Sequence, residues 1–362
     1  MLDGAEEDLL VATDRWLADF EQALGGADPK SVESLFHPDG YWRDLLAFTW
    51  HVQTVGGAEN IAAALQTHAA SAAASGFKRD EHRTPPRRVT RAGTEIIEAI
   101  ICFETAYGKA EGVLRLVPNA DQGLLQAWTL LTALDQIAGF EEATGTARPS
   151  GESYSRDFHG PNWLDQRQAA IAYGDREPEV LVVGGGQAGL SIAARLTQLG
   201  VDTLIIDRGE RVGDNWRKRY HALTLHNQVH VNHLPYLPFP PNWPTYIPKD
   251  KIASWFEAYA EIMELNFWTG TEFGGAVYDA QAERWSVELK QAVGKTRQIH
   301  PRHIVMATGV SGIPNLPDIA SLPDFAGAVM HSSGYDSGEE WAGRNVIILG
   351  TGNSGHDIAQ DL

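Results

Sequence analysis

Cysteine is almost missing from this chain: Cys102 is the only one in 362 residues. One thiol can form neither an intramolecular disulfide nor a redox-active dithiol, so thiol-based electron transfer within these residues is excluded. Cys102 lies in the apolar run Ile100-Ile101-Cys102-Phe103, where a buried spectator thiol is expected. Long hydrophobic runs are missing too, and no stretch approaches the roughly 18 apolar residues of a membrane span. Positive charge is scarce. Lys+Arg total 29 against Asp+Glu 47, a net charge of −18 with no basic run. Nucleic acid and membrane surfaces are therefore not expected as partners. The acidic start (Asp3, Glu6, Glu7, Asp8) differs from the basic start of a secretory signal, so a cytoplasmic location is expected by elimination. No metal site is read from the residues.

What is present is the composition of a globular protein, 43% hydrophobic and 21% charged, long enough for two or three domains. Residues 1–140 read as an α+β domain. Leu9, Leu10, Trp16, Leu17, Phe20 and Leu24 recur at helical spacing, stopped by Gly25-Gly26. Asp28-Pro29 predicts an N-cap and first-turn proline for a short helix through Val32, Leu35 and Phe36. An alanine-rich helix follows near 60–70. Strands are expected over 95–105, 112–117 and 124–134, broken by Gly108 and Asn119-Ala120-Asp121. From Trp16 through Ile137 this order resembles the nuclear-transport-factor-2-like (SnoaL-like) cone fold. His37, Asp39, Asp44 and His51, near Tyr41, Trp42, Phe48 and Trp50, could line a pocket for a small hydrophobic molecule; solvated turns and core aromatics explain them equally well. Residues 141–177 read as a linker with scattered apolar residues (Tyr154, Phe158, Trp163, Leu164), partly docked through its aromatics.

Residues 178–318 read as a first dinucleotide-binding domain. Glu179-Val180-Leu181-Val182-Val183 is a buried parallel strand by its apolar run. Gly184-Gly185-Gly186-Gln187-Ala188-Gly189 follows it and opens a helix. In that context Gly184 serves the tight turn, Gly186 the approach of a pyrophosphate, and Gly189 close helix–strand packing. The helix N-terminus, with Gln187 and Ala188, faces the pyrophosphate. The next strand ends on Asp207, 18 residues past the last glycine and followed by Arg208. A carboxylate there accepts from ribose hydroxyls and repels a 2′-phosphate, so FAD or NAD fits and NADP does not.

Gly213-Asp214-Asn215-Trp216-Arg217, then Arg219-Tyr220, resembles the flavin-containing monooxygenases, in which a Gly-x-x-Trp element packs against the flavin. So does the stretch from Leu225-His226-Asn227 to Leu237-Pro238-Phe239-Pro240. Five prolines between Pro235 and Pro244 exclude a helix or central strand and suggest a rigid pocket wall. A helix from Lys251, capped by Asp250, carries Ile252, Trp255, Phe256, Tyr259 and Met263, read as core. Strands are expected over 283–289 and 298–307, the second feeding Ala307-Thr308-Gly309. Phe325-x-Gly327-x-x-x-His331-x-x-x-Tyr335 then matches the fingerprint of class B flavoprotein monooxygenases, with tyrosine last as in the flavin-containing-monooxygenase form. The resemblance implies that His331 and Tyr335 hold the interdomain connection and help place NADP(H).

Residues 319–362 read as the start of an NAD(P)H domain. A strand is expected over 344–349, then the turn Gly350-Thr351-Gly352-Asn353-Ser354-Gly355 and a helix beginning His356-Asp357-Ile358. The following strand, whose end would choose NADPH or NADH, does not follow within the sequence. The chain is accordingly expected to be a fragment or truncated product of a protein of roughly 600 residues. The resemblance implies a two-dinucleotide (Rossmann-type) α/β fold, its second domain incomplete. It implies an FAD- and NAD(P)H-dependent monooxygenase that passes one oxygen of O2, through a flavin C4a-hydroperoxide, to a nitrogen, a sulfur or a carbonyl carbon of a small substrate. His226 or Asn227 falls where the family places a polar residue beside the flavin. A flavin disulfide reductase shares the architecture but needs the missing dithiol. Two other readings stand beside the monooxygenase: a non-catalytic fragment, and small-ligand binding by the N-terminal domain. A homodimer is compatible with either.

Overall fold

The computed structural model describes residues 4–26, 28–119, 125–148, 159–310 and 312–362. The chain divides into two compact units, 1–141 and 142–362. Tyr154, Phe158, Ala120 and Asp121 lie outside the described residues.

Unit 1 runs α1 (Gly4–Gly25), α2 (Pro29–Glu33), β1 (Phe36–Leu45), β2 (Val52–Gly56), α3 (Ala58–Ala72), β3 (Ser75–Arg79), β4 (Arg87–Arg91), β5 (Thr94–Thr105), β6 (Gly108–Pro118) and β7 (Leu125–Ile137). The strands form one sheet in the order β2-β1-β7-β6-β5-β3, with β4 pairing β5. The side chains of α1 that recur at helical spacing, among them Trp16, Leu17 and Phe20, meet Phe36, Phe77, Phe103, Ile101 and Leu114 in one core. Trp16 stacks on Phe20 at 5.0 Å and Phe77 on Phe103 at 4.5 Å, contacts each worth about 0.5–1.5 kcal/mol beyond area burial.

Two expectations change here. The Asp28 carboxylate accepts from the Lys30 N–H at 3.0 Å, but the helix it caps stops at Glu33 and Phe36 begins a strand. That strand, β1, runs parallel to β7, with a register shift between Phe36 and Tyr41. Pro38 and Gly40 in the shifted stretch hide the alternation that would announce a strand. Asp44 is fully buried in β1 and is a structural acceptor, taking Thr49 Oγ1 and Thr132 Oγ1 at 2.7 Å each and the Phe48 and Thr49 backbone N–H groups. Trp42 and Phe48 are core, whereas Tyr41, Trp50 and His51 are exposed. Cys102 is free and half-buried, and burial pushes its thiol up.

Unit 2 contains α4 (Trp163–Ala172), β8 (Val180–Val183), α5 (Gln187–Gln198), β9 (Thr203–Ile206), α6 (Asp214–Arg217), β10 (Thr224–Gln228), β11 (Tyr246–Pro248), α7 (Lys249–Ile262), β12 (Asn266–Trp268), β13 (Thr271–Asp279), β14 (Arg284–Gln291), β15 (Lys295–Ile299), β16 (His303–Met306) and α8 (Asn353–Asp361). Its centre is a parallel sheet in the order β12-β9-β8-β16. Alternation sends Val180, Val182 and Ile205 toward α5 and α7, and Leu181, Val183, Leu204 and Ile206 toward the antiparallel sheet β13-β14-β15. Both faces are thus covered, as near-continuous apolar strands require.

Four further corrections belong to this unit. The stretch read as a linker contains α4, opened by a capping box between Asn162 and Asp165; Leu164 is exposed, while Trp163, though exposed, docks by donating its indole N–H to Glu264 at 2.8 Å, and Arg167 adds a bond to Asn266 at 3.0 Å. The strand expected over 298–307 is two strands in different sheets, parted at Pro301, which has no N–H to offer a ladder. Asp250 lies inside the first turn of α7, and Pro248 occupies the N-cap. Residues 344–349 form no strand: Val346, Ile347 and Leu349 are exposed, and no described strand lies alongside to pair with them.

Among the described residues no helix is long and apolar enough to cross a membrane.

Candidate dinucleotide sites

The first glycine turn sits at the C-terminal ends of β8, β9 and β16. Gly184 has φ +108°, and a Cβ there would lie 2.4 Å from the Ala307 carbonyl oxygen. The turn therefore abuts the Ala307-Thr308-Gly309 segment, whose Ala307 N–H donates to the Val183 carbonyl at 2.8 Å. A Cβ on Gly189 would fall 1.9 Å from the Gly184 carbonyl oxygen, so α5 can begin this close to its strand only with glycine. Gly186 is the N-cap of α5 and no side chain caps it, which leaves the positive end of the helix, with Gln187 and Ala188, available to an anion.

Asp207 binds the turn from the neighbouring strand. Its Oδ2 accepts from the Gly185 N–H and its Oδ1 from the Gly209 N–H, each at 2.7 Å. Each oxygen keeps acceptor capacity for a ligand hydroxyl. Asn215 reaches the same place, with Nδ2 at 3.2 Å from where a Gly186 Cβ would be. Trp216 packs on the core beside β8 and on a second cluster of Tyr220, Leu223, Tyr335 and Ile358. Its Nε1–H is buried with no partner among the described residues. Arg208 is exposed.

The second turn is built alike but more loosely. Gly350 has φ +124°, Gly352 is the uncapped N-cap of α8, and a Gly355 Cβ would lie 3.0 Å from the Gly350 carbonyl oxygen. Asn353 and Ser354 open the helix. Asp357, one turn on, accepts the buried Tyr220 hydroxyl at 2.5 Å and has His226 Nε2 at 3.6 Å from the same oxygen. Burial first, and then the Asp357 carboxylate, push the Tyr220 phenol up to about 12. Tyr335 is buried and donates its hydroxyl to Asp361 at 2.6 Å; burial and then Asp361 raise its phenol as well. His331 serves its own turn, accepting from the Ser333 N–H at 3.1 Å.

The fold thus gathers Gly184–Gly189, Asp207, Thr308 and Asn215 around one turn, and brings His226 and Tyr335 to the helix of the other. Asn227 is exposed on β10 beside His226. The Tyr220–Asp357 link is absent from the sequence reading. Tyr220 follows the Gly-x-x-Trp element by a few residues, but nothing local pairs it with an acid 137 positions away.

The profile of the family "Pyridine nucleotide-disulphide oxidoreductase" matches residues 181–362. Indole-3-pyruvate monooxygenase YUCCA1 of Oryza sativa subsp. japonica is 37% identical over 186 residues, 51% of this chain and 45% of that protein. Probable indole-3-pyruvate monooxygenase YUCCA4 of Arabidopsis thaliana is 35% identical over 186 residues, 51% of this chain and 44% of its own length. The chain therefore spans under half the length of these relatives. A solved flavin-containing monooxygenase from Stenotrophomonas maltophilia superposes with a TM-score of 0.45 at 29% identity, over 49% of this chain and 52% of that one. The chain belongs to the pyridine nucleotide-disulphide oxidoreductase family.

Proposed function

We propose that residues 142–362 bind FAD at the Gly184–Gly189 turn and NADPH or NADH at the Gly350–Gly355 turn, as the dinucleotide-handling part of a monooxygenase. Its reaction places one oxygen of O2 on a nitrogen, a sulfur or a carbonyl carbon of a small substrate. The observation that carries the reading is the Asp207 carboxylate, fixed by two backbone N–H groups at the mouth of an uncapped helix and able to accept from a ribose. The buried Trp216 N–H, unpartnered among the described residues and one position from the Asn215 that reaches the turn, supports it. The indole-3-pyruvate monooxygenases among the relatives favour a carbonyl-bearing substrate.

Bound flavin supplies the redox and oxygen-activating chemistry. The chain's own residues orient it. Asp207 holds the ribose, and the first N–H groups of α5 face the pyrophosphate. Trp216 would offer an apolar wall to the ring, and His226, 3.6 Å from Asp357 and with Asn227 next to it, would offer a polar group. We further propose that unit 1 is an NTF2-like (SnoaL-like) domain, a reading supported by three helices packed on a sheet of long antiparallel strands.

Loading the purified chain with FAD and recording its visible absorbance tests the first site. Oxidised-flavin bands that survive desalting are expected; a colourless protein overturns the reading. Asp207→Ala should weaken FAD binding about tenfold or more, the worth of a charge-assisted hydrogen bond.

A further inference from the structure

Unit 1 holds a concentration of positive charge that the flavin chemistry does not use. In the pairing of β4 with β5, Arg87 stands opposite Glu98; in that of β5 with β6, Glu98 stands opposite Arg115 and Ile100 opposite Val113. Opposed residues share a face of the sheet. These side chains therefore project away from Ile97, Ile101 and Leu114, which lie in the core under the helices. Together with Arg91, Thr84 and Pro85 they line a groove of about 270 Å³.

Glu98 is 9% exposed. Its Oε1 accepts from Arg87 Nη2 and Arg91 Nη2, both at 3.0 Å, and its Oε2 from Arg91 Nε at 3.3 Å and Arg115 Nε at 3.0 Å. Four donors fill the acceptor sites of a carboxylate. The cations are not filled: each guanidinium has five N–H donors, and three positive charges meet one negative. Burial pushes the Glu98 carboxyl up, but hydrogen bonds from Arg91, Arg87 and Arg115 outweigh it and bring the value to about 2. Glu98 thus stays ionised, and two unit charges remain uncompensated in a chain whose net charge is −18.

We propose that this groove binds a small organic oxyanion, a carboxylate or phosphate on a short apolar body. Arg87, Arg91 and Arg115 recognise the oxygens, and Pro85, Ile100 and Val113 take the apolar part. Guanidinium forks match both oxyanion geometries. The site lies wholly within unit 1 and does not depend on the flavin reading.

Equilibrium dialysis of the full chain at low ionic strength, with succinate in one arm and inorganic phosphate in the other, tests it. At least one probe should bind saturably at one equivalent. Arg115→Gln should weaken that binding about tenfold, the worth of a lost charge-assisted hydrogen bond. Glu98→Gln, which removes the competing charge, should strengthen it. The opposite signs are what a purely structural ion-pair network does not produce. Succinate binding alone identifies a carboxylate ligand, phosphate alone a phosphate ligand. Circular dichroism checks each variant, and the more exposed Arg87→Gln replaces Arg115→Gln if that variant does not fold. The proposal is overturned if neither probe saturates, if binding ignores the arginine variant, or if Glu98→Gln weakens it.

Discussion

The turn at Gly184–Gly189 leaves a strand buried on both faces and paired on both edges, whereas the turn at Gly350–Gly355 leaves residues 344–349, which have no described strand beside them. Their glycines are spaced identically. The first helix comes so close to its own turn that a methyl group on Gly189 would sit 1.9 Å from a backbone oxygen; the matching distance at Gly355 is 3.0 Å. A glycine fingerprint therefore specifies a turn and a helix start, while the strand in front of it exists only where other strands receive it. The second turn draws its support from side chains instead, through Tyr220 on Asp357 and Tyr335 on Asp361.

The widest gap between the two turns should appear on adding one methyl group to each. Gly189→Ala forces backbone to move and should cost about 3 kcal/mol or prevent folding, while Gly355→Ala should cost about 1 kcal/mol or less. Urea denaturation of both variants measures this, and equal losses would erase the distinction. A smaller effect sharpens it. Tyr220→Phe and Asp357→Asn should each cost about 1–2 kcal/mol, and the double variant clearly less than their sum, because both remove one hydrogen bond. Additive losses would mean that α8 is held by something else.

The smallest effect is alkaline. The Tyr220 phenol ionises at about 12 in the folded protein against an ordinary 10.0. A group raised in this way contributes its stability in full below pH 10 and loses it as pH rises through about 12. The tyrosinate absorbance of the wild type minus that of Tyr220→Phe should show one step near pH 12; a step near 10 would mean that neither burial nor Asp357 holds the phenol.

Much of this architecture was legible along the chain. Helical spacing announced α1, α5 and α7, alanine content announced α3, and unbroken apolar runs announced β8 and β9, because each signal is local. What stayed hidden depended on distant partners. β1 is a strand despite Pro38 and Gly40 because β7 receives it. Residues 344–349 have a strand's composition without a strand's neighbours. Asp44, grouped by sequence with pocket-lining candidates, is consumed by Thr49 and by Thr132 on another strand. In the candidate site, Asp207 could be picked out from its spacing behind the glycines, while Tyr220 could not, since its partner is set by folding alone.

The pairing of β1 with β7 also sets a timetable. Trp42 donates its indole N–H to Thr132, 90 residues later in the chain. At ribosomal speeds of about 5–20 residues per second, the segment that becomes β1 waits on the order of ten seconds for its partner to be made. The hairpin of β5 and β6, joined through a short turn, can close well before then. For that interval β1 can pair only with β2, Trp42 against Val55, and this two-stranded unit has no larger sheet to join, which makes it the segment most in need of protection on a nascent chain.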